Sequence, residues 1–155
     1  MTLNTSTFSL AGKKGLILGV ANESSIAWGC TQLMHQLGAE LVVSCLNDKA
    51  RRFVEPLTQP IGVELVTCNV EEEGELEAAV QHAIARMGQL DFVIHSIAWA
   101  PLADLHGNVI DSSSDGFSRA MAVSCHSFAR LAKLCAPHMP NGGSMLSMTY
   151  LGADE

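Results

Sequence analysis

Gly15-Leu-Ile-Leu-Gly19-Val-Ala-Asn-Glu-Ser-Ser25-Ile26-Ala27-Trp28-Gly29 is the stretch whose reading decides the fold. An apolar run ends at a glycine, and an amphipathic run opens at Ser25. Apolar strand, glycine turn and helix start in this order are how doubly wound α/β proteins hold a dinucleotide. Gly19 has no Cβ, so it permits a tight turn and lets the backbone approach a phosphate. Ser25 is placed to cap the helix, whose free N–H groups and positive end suit a pyrophosphate. The spacing is G-x5-S-I-A-x-G, not the common G-x-G-x-x-G, with a serine where a phosphate-side glycine often sits. At this point a strand-to-helix turn without any ligand remains the alternative.

Outward from this segment, strand and helix patterns alternate. The first strand covers about Lys14–Val20. The helix over Ser25–Leu37 is expected to bury Ile26, Cys30, Leu33 or Met34, and Leu37, with Gly38 ending it. Glu40–Leu46 reads as a second strand. A second helix is expected from Asp48, as its N-cap, shortened by Pro56 and Pro60. Val63–Cys68 reads as a third strand. The helix over Glu71–Met87 carries the stripe Leu76, Ala79, Val80, Ala83, Ile84 and Met87, with the Glu71-Glu72-Glu73 run favouring its positive end. A fourth strand, Asp91–Ile97, leads into a loop from Trp99 to about Ser112, of a length that is often functional. A long helix, Ser114–His138, uses Phe117, Met121, Phe128, Leu131 and Leu134 as core by spacing. Asn141-Gly142-Gly143 then turns into a fifth strand, Ser144–Tyr150.

This alternation implies the α/β class: a Rossmann-like, doubly wound parallel sheet with right-handed crossovers and strand order 3-2-1-4-5. That order normally continues with a sixth strand, and a raw sheet edge is normally covered or paired. Residues 1–155 therefore read as a single dinucleotide-binding domain, truncated at the C-terminus and missing its C-terminal strands.

Composition excludes several classes. The net charge is −7, and no Lys/Arg cluster forms a stripe, so a nucleic-acid surface is not expected. No apolar run approaches the length of a membrane span, and the N-terminus lacks a signal-peptide core, so the expected compartment is the cytoplasm. Cys30, Cys45, Cys68, Cys125 and Cys135 form no Cys-x-x-Cys pair and are odd in number. That favours a reducing compartment and argues against a metal site.

Five segments taken together carry a resemblance: Gly19-x5-Ser25-Ile26-Ala27-x-Gly29, Leu46-Asn-Asp-Lys49, Cys68-Asn69-Val70, His95-Ser-Ile-Ala-Trp-Ala-Pro101 and Thr149-Tyr150-Leu-Gly-Ala153. They resemble the bacterial enoyl-acyl-carrier-protein reductases, a divergent branch of the short-chain dehydrogenase/reductase superfamily, and the likeness runs from about Leu10 to the end. The family reduces the 2,3 double bond of enoyl thioesters on acyl carrier protein, in fatty-acid elongation. The resemblance implies that Gly19, Ser25 and Ile26 line the pyrophosphate and ribose of the cofactor. It places Leu46 near the adenosine ribose, where relatives often have glutamine, and Asn69 and Val70 beside the adenine, where many have aspartate at the Asn69 position. Ser96, Ile97 and Ala98 would pass the nicotinamide-side ribose, with Ala98 a glycine in some relatives. Trp99 and Ala100 would face the acyl pocket, where phenylalanine often replaces Trp99.

The expected cofactor is NADH. NADPH stays open, because Asp48 near the tip of the second strand is accompanied by Lys49, Arg51 and Arg52. Tyr150, the single tyrosine of the chain, matches the first of two family tyrosines and is expected to support the active site. The second tyrosine and its lysine do not occur in these residues, so the 155-residue chain alone is expected to be inactive. A homotetramer is implied by resemblance, with the helix carrying Phe117 and Met121 helping to pair subunits.

His95 reads as a packing histidine, and His35, His82, His106, His126 and His138 as solvated. Two rival functions remain: a dinucleotide-binding module without chemistry, and a ketone or alcohol oxidoreductase of the same superfamily. The His95-Ser-Ile97 segment speaks against the second, whose members usually carry an Asn-Asn-Ala-Gly type strand end.

Overall fold

The apolar segments pair side by side as parallel strands: β1 (Lys14–Leu18), β2 (Glu40–Cys45), β3 (Glu64–Thr67), β4 (Phe92–His95) and β5 (Ser144–Ser147). The computed structural model describes residues 8–149. The strand order is β3-β2-β1-β4-β5, all neighbours parallel, as the alternating pattern predicts. Strand side chains alternate between faces. Leu16, Leu18 and Val93 point to a layer formed by α3 (Glu75–Met87) and α5 (Ser127–Cys135). Ile17, Val43 and Ile94 point to the opposite layer, formed by α1 (Ile26–Gln36) and α2 (Asp48–Thr58). The central strand β1 is covered on both faces, which is why it reads as a continuous apolar run. Among the described residues no helix is long and apolar enough to cross a membrane.

The amino ends of β1 and β4 are stitched by Asp91. Its carboxylate accepts the Lys14 N–H at 2.9 Å and pairs with Lys13 Nζ at 3.0 Å, while its own N–H donates to the Lys14 carbonyl at 2.8 Å. Partial burial works to raise the Asp91 carboxyl, but the two lysine contacts outweigh it and hold the group below its ordinary value.

Several local expectations need correction. The stripe that α1 buries is Ala27, Trp28 and Thr31, not one led by Ile26, which is 63% exposed. The helix is rotated because the large Trp28 indole, not the smaller Ile26, fills the space over the sheet. Helix α2 is capped by Asn47, whose side chain accepts the Ala50 N–H at 3.0 Å; Asp48 is its first residue. Pro56 lies inside α2 without ending it, and Pro60 falls in the following 3-10 turn. We expect Asn47→Ala to lower the unfolding free energy by about 1 kcal/mol, read by urea denaturation, with Asp48→Ala well below that. Helix α3 begins at Glu75 rather than Glu71, after Gly74.

The long helix is broken into α4 (Ser114–Met121), a wide π-type turn over Ala122–His126, and α5. Phe117 (60%) and Met121 (46%) are exposed rather than core, because α4 stands off the sheet and only α5 packs on it; Phe128 is partly buried.

Candidate functional site

The first strand runs directly into Gly19, at φ +97. An added Cβ there would lie 2.1 Å from the Ser96 carbonyl oxygen and 2.7 Å from its carbon. Only a residue without a side chain lets the β1 turn rest directly on the backbone that leaves β4. On its other side, the N–H groups of Gly19 and Val20 donate to the Ser44 carbonyl of β2, at 3.2 and 2.8 Å. The turn is thus wedged between β2 and β4. The sheet reverses its direction of winding between β1 and β4, and ligands of open α/β sheets bind in the crevice outside the carboxyl ends at such a point.

The loop that follows is stiffened from within. The Asn22 side chain accepts the Ser24 N–H at 2.9 Å. Ser25 Oγ donates to the Asn22 carbonyl at 2.7 Å and accepts the Ala21 N–H at 3.3 Å. Ser25 does occupy the N-cap position, with extended backbone, but its hydroxyl caps no helix N–H. The expectation of a capping serine is therefore corrected: the hydroxyl closes the glycine loop. The first-turn N–H groups of α1, at Ile26 and Ala27, follow directly on this loop and have no intrahelical partner.

The remaining candidate residues fall at the same edge. Leu46 follows β2 and is 52% exposed. Asn69 and Val70 follow β3. The Asn69 N–H donates to Glu75 Oε2 at 2.7 Å, its side chain accepts the Glu71 N–H at 3.1 Å, and the Val70 carbonyl accepts from Arg130 Nη1 at 3.1 Å. Val70 itself is buried. Ser96, Ile97, Ala98, Trp99 and Ala100 leave β4 in sequence, with the Ser96 N–H held by the Leu18 carbonyl at 3.0 Å. Tyr150 lies outside the described residues.

Between the ends of β2 and β3 opens a cleft of about 320 Å³, lined by Leu46, Asn47, Asp48, Asn69, Glu72 and Glu75 together with Thr67. Among the described residues no lysine or arginine lines it. Arg51, a candidate phosphate partner from the sequence, is already engaged: Nη2 donates to the Leu65 carbonyl at 3.3 Å, and the guanidinium pairs with Glu55 at 3.6 Å and with Asp48 of the cleft lining at 3.9 Å. Burial pushes the Cys68 thiol, at the root of the β3 loop, up to about 12, so it stays protonated and serves packing. A larger hollow of about 530 Å³ lies toward the amino ends of β4 and β5, beside Lys13, Asp91 and Gly143, a strand length from these loops.

Beneath the crevice His95 is 1% exposed. Ser127 Oγ donates to the Val123 carbonyl at 2.6 Å, so its lone pair receives His95 Nε2–H at 2.7 Å. The Ser147 hydroxyl then meets Nδ1 at 3.4 Å. The wide turn makes this possible: the Ser127 N–H reaches back to the Ala122 carbonyl, leaving the Val123 carbonyl for the hydroxyl. Burial holds the imidazole below its ordinary value and hence neutral, in keeping with a packing role.

Sequence reading did not bring out Arg119, Glu71 and Ser124, which gather around Trp99. The Glu71 run reads locally as a helix start, yet its carboxylate makes a two-point pair with Arg119, which holds Glu71 below the usual carboxylate range. Partners this far apart in sequence leave no local signal.

A stiff glycine turn, free helix N–H groups and a polar cleft along one sheet edge fit the diphosphate, the ribose and the adenine of an extended dinucleotide. Residues 19–155 match the Enoyl-(Acyl carrier protein) reductase family. Over 143 residues the chain is 41% identical to Enoyl-[acyl-carrier-protein] reductase [NADH] 2 of Rhizobium meliloti, covering 92% of this chain and 53% of that protein. Its fold superposes with a TM-score of 0.90 on the Anaplasma phagocytophilum reductase crystallised with NAD, at 36% identity, covering 96% of this chain and 57% of that one. The Bacillus cereus reductase with NADP+ and indole naphthyridinone gives 0.90 at 33% identity, covering 96% and 59%. The chain spans about half the length of the curated relatives it matches.

Proposed function

Since the chain belongs to the enoyl-(acyl carrier protein) reductase family, we propose that it forms the nucleotide-binding part of an enzyme reducing the 2,3 double bond of enoyl thioesters on acyl carrier protein with NADH. The observation that carries this reading is the contact of the Gly19 turn with the Ser96 carbonyl, which opens the crevice between β1 and β4. In it, Gly19 and the α1 N–H groups at Ile26 and Ala27 hold the diphosphate, with Ser25 fixing the loop. Leu46, Asn69 and Val70 border the adenosine, and Ser96, Ile97 and Ala98 border the nicotinamide ribose. Trp99 and Ala100 bound the acyl side, and Tyr150 supports the active site.

NADH held by these residues would supply a hydride for the β-carbon, leaving NAD+ and an enolate that takes a proton at the α-carbon. The chain's own contribution is orientation: four loops set by rigid strands hold donor and acceptor at fixed distance and screen them from water. Residues 1–155 lie within a single dinucleotide-binding domain, acting in the cytoplasm, in an enzyme assembled as a homotetramer.

NADH rather than NADPH follows from the acidic cleft. A 2′-phosphate beside Asp48, Glu72 and Glu75 meets repulsion, with Arg51 already engaged by the Leu65 carbonyl, Glu55 and Asp48. In the complete gene product we expect kcat/KM for NADH to exceed that for NADPH by at least about tenfold, and Asp48→Ala to narrow the gap. The assay follows nucleotide oxidation with crotonyl thioester. Nucleotide binding without oxidation would favour a binding module, and oxidation with ketones alone would favour the other oxidoreductase class.

A further inference from the structure

Trp99 is gripped from two sides by groups that lie outside the crevice. Its backbone N–H donates to Ser124 Oγ at 3.0 Å, and its backbone carbonyl accepts from the same hydroxyl at 3.1 Å. A single hydroxyl can do both because it carries one proton and two lone pairs. Ser124 reaches this position from the wide turn between α4 and α5. The indole face carries the Arg119 guanidinium, 4.0 Å from the ring centroid. Arg119 projects from α4 and is itself oriented by Glu71 of the β3–α3 loop, with Nη2 to Oε2 at 2.9 Å and Nε to Oε1 as the second point.

Two crossover connections, β3–β4 through Glu71 and β4–β5 through Arg119 and Ser124, therefore meet at Trp99. An exposed ion pair of this kind contributes little to stability, and Arg119 is far from the sheet core. What the arrangement does fix is direction: a planar guanidinium forked on a carboxylate presents its flat face to the indole in one attitude. Glu71 directly follows Asn69 and Val70 in sequence. The clamp thus runs from the loop on the adenosine side of the crevice to the ring on its acyl side.

We propose that Arg119, oriented by Glu71, and Ser124 are positioning residues that set the attitude of the Trp99 indole against the acyl group of the substrate. The role rests on the enoyl-thioester reading of the site. Neither Arg119 nor Ser124 touches the reacting atoms; they act through Trp99.

The test uses the complete gene product labelled with 5-fluorotryptophan, its Trp99 fluorine resonance assigned by the loss seen in Trp99→Phe. Arg119→Ala is expected to shift and broaden that resonance while leaving the one from Trp28 in place. It should raise KM for a crotonyl thioester about threefold, with kcat and KM for NADH unchanged. Arg119→Lys, which keeps the cation, should restore part of the loss. In a cycle with Trp99→Ala, the Arg119→Ala effect should vanish once the ring is gone. An unmoved Trp99 resonance, or penalties that add in full, overturns the clamp even if the enzyme reduces enoyl thioesters. A shifted resonance in a protein that reduces no enoyl thioester sinks the functional reading instead, and this role with it.

Discussion

Gly19→Ala is expected to abolish tight nucleotide binding, with an affinity loss of about a hundredfold or more. Two costs act together. A residue with a side chain at φ +97 carries roughly 1–2 kcal/mol of backbone strain. The new methyl must also displace the Ser96 backbone, since its ideal position is 2.1 Å from that carbonyl oxygen. Neither the Gly19 turn, bonded to Ser44, nor the Ser96 segment, bonded to Leu18, can give way without breaking a sheet contact. Calorimetric titration with NADH and a thermal scan read both consequences. Gly12→Ala supplies the control. Its φ is +78, but nothing lies within 4 Å of the added Cβ, so it should show the strain alone and leave affinity intact. NADH binding by Gly19→Ala at the native affinity would falsify the placement of the nucleotide at this junction.

The second large effect concerns His95. Replacing it by alanine removes a fully buried ring that packs 5.5 Å from the Phe128 ring and strips Ser127 of its donor. The expected cost is about 2–4 kcal/mol, measured as a shift in denaturant midpoint at unchanged slope. The native residue also predicts a pH dependence. Burial lowers its folded-state value below the ordinary 6.5. In the unfolded chain the imidazole takes up a proton as pH falls through about 6.5, while the folded protein resists it. Stability is thus fully present above that value and declines as pH drops toward the lower folded-state value. His95→Ala should show a flatter stability profile over the same window, while the carboxylate-driven loss at lower pH, to which Asp91 contributes, remains.

Much of the architecture was readable because it depends on local periodicity. The five strand segments, the alternation with helices and the order β3-β2-β1-β4-β5 follow from runs such as Leu41-Val-Val and from the handedness of parallel crossovers. Gly38 ends α1 at φ +95, as its position requires. Helix ends and helix faces were less readable. Ser25 and Asp48 are both good caps by residue type, yet the hydroxyl of one closes a loop and the other is displaced by Asn47. Cap choice turns on a single hydrogen bond, which neighbouring groups can outbid. The exposed Ile26, Phe117 and Met121 show the same limit, because a helical stripe says that a face is apolar and not which neighbour covers it.

What residue order alone determined is the parallel α/β sheet, the glycine turn at its switch point and the grouping of Gly19, Leu46, Asn69 and Ser96 at the carboxyl ends of successive strands. Those features need only side-chain periodicity and the right-handed crossover, both local in origin. What only the tertiary structure decided is the acidic lining of the adenosine-side cleft, the turning of Arg51 toward Leu65, the buried His95–Ser127 bond and the grip of Arg119, Glu71 and Ser124 on Trp99. Each joins residues well separated in the sequence, and such meetings are set by how helices settle on the sheet, where no short-range pattern in the chain can record them.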